Sequence, residues 1–175
     1  MKAIKFFAIV ILFSGVSVMS SAQNTATSQS VTAAAKIISA IEITNVDNGS
    51  LNFGTLVSMA SSYTAKVGTD KIRTLSNLNA ANLGGITSTV TVPTFNVTGD
   101  SNAKFSITLP VSTTLTTDTE GATAMTVDNF VHSGGESPQL SSGIASFKVG
   151  ATLNVGAEQK AGDYTGTFTV TVAYE

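Results

Sequence analysis

The sequence predicts an all-β fold, a mostly antiparallel sandwich of one domain, and three observations carry that prediction. Short runs alternate large apolar with small or polar residues at period two, as in FTVTVAY from Phe168 to Tyr174, and such alternation marks a strand with one buried face. Turn formers punctuate the runs, among them Asn48-Gly49, Gly68 to Asp70 and Glu120-Gly121. No segment keeps a helical period over about twelve residues. Thr, Ser, Val, Ala, Gly and Asn dominate, and only 11% of residues are charged, a composition suited to strands.

The front of the chain reads differently. Met1 to Lys5 carries Lys2 and Lys5, and Phe6 to Val18 is an apolar run that ends in Ser20-Ser21-Ala22. A basic start, a short apolar helix and small residues before a cut read as a secretory signal peptide. Thirteen apolar residues fall short of the roughly 20 that a spanning helix needs. The expected cut lies between Ala22 and Gln23. The expected organisation is therefore a signal peptide at 1–22, a flexible leader at 23–30 and a β-sandwich domain at 31–175. Within the leader, Asn24 to Ser30 is polar, and Val31 is the first bulky residue after the cut.

The elements follow in order. Ala33 to Lys36 suits a helical turn, but Ile37, Ile38, Ile41 and Ile43 are β-branched, so about Val31 to Thr44 is read as one long first strand. Asn48-Gly49 then turns the chain. Leu51 and Phe53 share a face, and Gly54 marks a bulge or a close backbone approach. Two short strands flank Gly68 to Asp70, and Asn77 to Gly85 is loop. Ile86 to Gly99 holds a strand with Phe95 and Val97 on one face; Pro93 lacks an N–H and marks an edge or a break. Phe105, Ile107 and Leu109 alternate up to Pro110. A hairpin turns near Glu120-Gly121, with Met125 and Val127 on its second arm. His132 to Ser142 is loop, two short strands follow from Ile144 to Gly156, and Gly166 to Glu175 is a regular last strand. The total is about eight to eleven strands, the signature of an all-β sandwich or barrel.

Composition narrows the chemistry. Cleavage after Ala22 removes two of the nine basic residues and leaves seven against eleven acidic ones. A net charge near −4 offers no basic patch for nucleic acid and no attraction to anionic lipid, so no membrane insertion is expected after cleavage. Cysteine is absent and His132 is the single histidine, which removes the usual ligands of zinc, copper and thiol chemistry. The acids sit mostly beside Gly, Asn or Thr, where they serve turns. VDNGS, TGDSN and TDTEG bring oxygen ligands on loops, but none matches the twelve-residue calcium loop. No G-x-S-x-G is present. The expectation is a protein without catalytic residues, cofactor or metal.

The tail carries a resemblance. Phe168, Val170, Val172 and Tyr174 fall on one face; Tyr174 is penultimate and Gly162 is fourteenth from the end. This tail resembles the C-terminal signature of chaperone–usher pilins. LNFG at Leu51 to Gly54 is similar to an element of spore-coat-U-like and archaic pilins. ITNVDNGSLNFGTL, FNVTGDSNAKFSITLP, AMTVDNF, FKVGATLNV and AGDYTGTFTVTVAYE together resemble more closely the bacterial exported domain-of-unknown-function family forty-four zero two, over nearly the whole mature chain. The resemblance implies an immunoglobulin-like sandwich. It also implies an exported structural or adhesive subunit, in the periplasm, at the cell surface or outside the cell. Such a subunit pairs strand edges with a periplasmic chaperone or with copies of itself. Charge at Val170 or Val172 is expected to abolish folding or export. The alternative is a self-complete secreted binding module, with glycan as its candidate ligand.

Overall fold

The computed structural model describes residues 27–76 and 88–175. The signal run Phe6 to Val18, the Ala22/Gln23 cut, the start of the leader and the Asn77 to Gly85 loop lie outside the described residues. Contacts divide the chain into Met1–Lys36 and Ile37–Glu175. In the first unit, residues 27–36 form no strand or helix and are exposed.

The second unit is an antiparallel β-sandwich. Its strands are β1 Glu42–Asn45, β2 Tyr63–Val67, β3 Arg73–Leu75, β4 Thr94–Thr98 and β5 Phe105–Thr108. They continue with β6 Ser112–Leu115, β7 Met125–His132, β8 Ile144–Val155 and β9 Thr171–Tyr174. Strand β8 is the spine. Its first half pairs with β4, Phe147 opposite Phe95; its second half pairs with β2, Val155 opposite Tyr63. Strand β7 also pairs with β8, with a bulge between Asp128 and Val131 where Asn129 takes φ 48°. Outward from these, β1 pairs with β4, β3 with β2 and β6 with β7. Strands β5 and β9 form a second, two-stranded sheet.

Strand β8 occupies the centre because it has partners on both edges and a continuous apolar face. Phe147, Val149, Ala151, Leu153 and Val155 alternate into the core and are all buried. Two apolar clusters meet along it. One gathers Phe53, Tyr63, Ala65, Val67, Met125, Val127, Leu153 and Val155. The other gathers Val97, Phe105, Leu140, Phe147 and Val149. Phe130 packs against both.

Several sequence readings change. The two short strands expected from Ile144 to Gly156 are one strand of twelve residues. Gly150, inside that strand, marks a close approach: a Cβ there would collide with the Val67 carbonyl oxygen. The long first strand expected from Val31 is also shorter, because β1 begins at Glu42. Its partner decides this: Glu42 lies opposite Thr98, where β4 ends. Earlier residues have no ladder to join, and residues 27–40 stay exposed without regular structure. The last strand is ladder-paired only from Thr171, since β5 ends at Thr108 and Pro110 has no N–H to extend the pairing.

Candidate strand-pairing edge and groove

The last strand joins two sheets at its two ends. Its upstream end is anchored to β6, where Thr165 and Thr116 exchange backbone hydrogen bonds of 2.8 Å each. The Thr113 hydroxyl donates to the Thr167 carbonyl at 2.7 Å. Downstream, Tyr174 lies opposite Phe105 and Val172 opposite Ile107. Between these anchors, residues 166–170 make no backbone–backbone hydrogen bond among the described residues.

All four residues of the sequence-read pairing face, Phe168, Val170, Val172 and Tyr174, are half-buried and pack against the second cluster. Thr167, Thr169, Thr171 and Ala173 are exposed on the opposite face. The Phe168 ring lies 5.0 Å from that of Phe130. The Tyr174 hydroxyl donates to the Ser39 carbonyl at 2.9 Å and accepts the Asp100 N–H at 2.6 Å. It therefore ties the end of β9 to the residues that enter β1.

Strands β1 and β9 approach without pairing. Tyr174 meets Ser39 ahead of β1, while Phe168 and Val170 share a groove with Asn45 at the end of β1 and Leu51 beyond it, so the two run antiparallel. At that second end lies a groove of about 260 Å³, walled by Leu51, Phe53, Phe95, Leu115, Phe168 and Val170. The segment that supplies Leu51 and Phe53 is held by Arg73, whose Nη1 donates to the carbonyls of Phe53 at 2.8 Å and Thr55 at 3.0 Å. Gly54, next to Phe53, takes φ +74°, and a Cβ there would collide with the Ser88 hydroxyl. The close approach read from LNFG is therefore present.

A larger cleft of about 890 Å³ opens between Leu51–Ser58 and Gln159–Gly166, over Leu115, Met125, Leu153 and Val155. Three of its polar side chains are bonded within the protein. Buried Gln159 donates to the Thr123 carbonyl at 2.6 Å and to the Tyr164 hydroxyl at 2.7 Å. Tyr164 in turn donates to the Lys160 carbonyl at 2.9 Å. The Tyr63 hydroxyl donates to the Val57 carbonyl at 2.8 Å.

Burial pushes the Tyr63 phenol above its ordinary value of 10.0, against the lowering influence of Arg73. The unfolded phenol therefore ionises first. This contribution to stability is complete below pH 10.0 and is lost as pH rises through the folded value. Melting temperatures followed above pH 10 should fall less steeply for Tyr63→Phe than for the unmodified chain.

The remaining candidates serve the fold. His132 accepts the Gly134 N–H through Nδ1 at 3.2 Å and meets Phe147 edge-on. Among the described residues, no group of three or more His, Cys, Asp or Glu is placed to hold a metal ion. No described helix is long and apolar enough to cross a membrane. Sequence reading missed the groove, because its walls come from segments more than 100 residues apart. Pro110 was the available signal that the last strand loses its partner midway.

No curated protein and no solved structure matches the chain. Residues 41–174 match the family described as Domain of unknown function (DUF4402), and the chain belongs to that family.

Proposed function

We propose that this family member is an exported structural or adhesive surface subunit, without catalytic residues, that works by pairing a strand edge. The observation that carries the reading is the stretch of residues 166–170, which joins no backbone ladder among the described residues and runs beside an apolar groove. Backbone N–H and C=O groups along a half-buried edge are a template for an added strand. Backbone bonds give such a strand its affinity, and pockets for alternate side chains set its register. Phe168 and Val170 provide those pockets just ahead of β9, and Val172 and Tyr174 within β9 are paired with β5.

The partners this reading implies are a periplasmic chaperone or further copies of the chain. Its export rests on the signal-like start, Lys2 to Ala22. Light scattering of the exported chain across a concentration series is expected to show assembly that grows with concentration. A monomer at every concentration, with a cooperative melt, would overturn the reading.

That second outcome would favour a self-complete binding module. The cleft of about 890 Å³ supports this alternative, and its apolar floor and polar rim suit a glycan. Retention of the monomer on immobilised glycans would then be its test.

A further inference from the structure

We infer that the segment Leu51 to Leu56 is a strap latched by Arg73, and that its opening joins the groove and the cleft into one slot. The inference goes beyond the strand-edge reading and holds whether the edge or the cleft carries the function.

The strap has the burial of a core element without the ladder of one. Phe53 is 6% exposed and belongs to the first cluster, and Leu51 and Leu56 pack against that cluster. Among the described residues, 50–57 join a ladder only through the isolated bridge between Asn52 and Thr91. The other bonds that tie this main chain to the body involve side chains. The Thr91 hydroxyl donates to the Ser50 carbonyl at 2.7 Å, and the Thr55 N–H donates to the Ser88 hydroxyl at 2.9 Å. The Asn52 side-chain oxygen accepts the Gly54 N–H at 2.7 Å, a bond within the strap that travels with it. A segment with so few backbone bonds opens locally at less cost than the whole fold.

Arg73 is the chain's single arginine and stands on β3, next to β2. Its Nη1 donates to the carbonyls of Phe53 and Thr55 and to the Ser88 hydroxyl at 3.2 Å. One cationic nitrogen thus gathers the two strap carbonyls that flank Gly54 and the hydroxyl that receives the Thr55 N–H. Bonds from a charged donor are stronger than those between neutral groups, so the guanidinium is the main tie of this stretch.

Leu51 and Phe53 line the groove and the cleft alike, as do Leu115 and Gly166. The strap is therefore part of the wall that the two cavities share. When the latch releases, Leu51 and Phe53 leave that wall. Met125, which lines the cleft and is 7% exposed, then meets solvent. Anything in one cavity that holds the strap shut alters binding in the other, and the coupling is reciprocal.

Hydrogen exchange on the exported chain carrying Arg73→Gln tests the latch. The amides of Asn52 and Thr55 should exchange roughly ten- to a hundred-fold faster, the effect of losing bonds to a charged donor. The amides of β2 and β8 should keep their rates. Unchanged strap exchange would overturn the inference. An equal rise across the strap, β2 and β8 would also overturn it, because Arg73 would then support the whole fold. Met125 gives an independent readout. Hydrogen peroxide transfers one oxygen to its thioether, forming the sulfoxide and water, and this reaction should be faster in Arg73→Gln than in the unmodified chain. Equal rates would mean that the strap still covers the cleft, and the joining of the cavities would fall. Should Arg73→Gln not fold, Ser88→Ala removes the hydroxyl that Arg73 and Thr55 share, and the same two readouts decide in the same sense.

Discussion

Phe147→Ala is expected to lower the unfolding free energy by about 3–5 kcal/mol, the cost of emptying a buried aromatic site. The ring is 2% exposed. It stacks on Phe95 at a centroid distance of 5.5 Å and receives the edge of His132 at 6.1 Å. It also stands where the first half of β8 meets β4, so a cavity there touches the spine of the sheet. Total stability of a domain is about 5–15 kcal/mol, so the loss is a large fraction of it. Urea denaturation reads the effect directly. A change below about 1 kcal/mol would mean that the second cluster collapses around the gap and is softer than its burial implies.

Val172→Asp and Val170→Asp are expected to separate folding from assembly. Val172 is ladder-paired opposite Ile107 and packs against the second cluster. A carboxylate there should cost about 2–3 kcal/mol and lower the export yield. Val170, two residues earlier, also packs against the second cluster but has no ladder partner and lies in the groove wall. Its substitution should cost about 1 kcal/mol, keep a cooperative melt and abolish concentration-dependent assembly. The sequence treats the two positions alike, as successive members of one alternating face. The structure distinguishes them because β5 stops at Thr108. Thermal melts paired with light scattering on both variants check the contrast. Equal assembly by Val170→Asp and the unmodified chain would remove the groove from the proposed function.

The alternation of Phe95 with Val97 and of Phe105 with Ile107 marked β4 and β5 correctly. Local side-chain period alone decides which face of a strand is apolar. The hairpin joining β6 and β7 was legible for a similar reason: Glu120-Gly121 lies between its arms, and Gly121 takes φ 67°. Turn chemistry is local, so it can be read without knowing the fold.

What required the tertiary structure was every question of partnership. Ile144 to Gly156 reads as two short strands, yet β8 is unbroken, with the Val67 carbonyl pressed close to Gly150. Val31 to Ala40 is rich enough in β-branched residues to read as strand, yet β4 ends before those residues could pair. The last strand alternates evenly along its length, yet only its final four residues find a ladder. The hydroxyl of Tyr174 reaches a carbonyl 135 positions away, a contact that no local pattern encodes. By itself the sequence determined which segments can be strands and which of their faces are apolar, because period and turn propensity are properties of neighbours. The tertiary structure decided where each ladder stops and which edge is left open, because a backbone hydrogen bond needs a second segment at the right height.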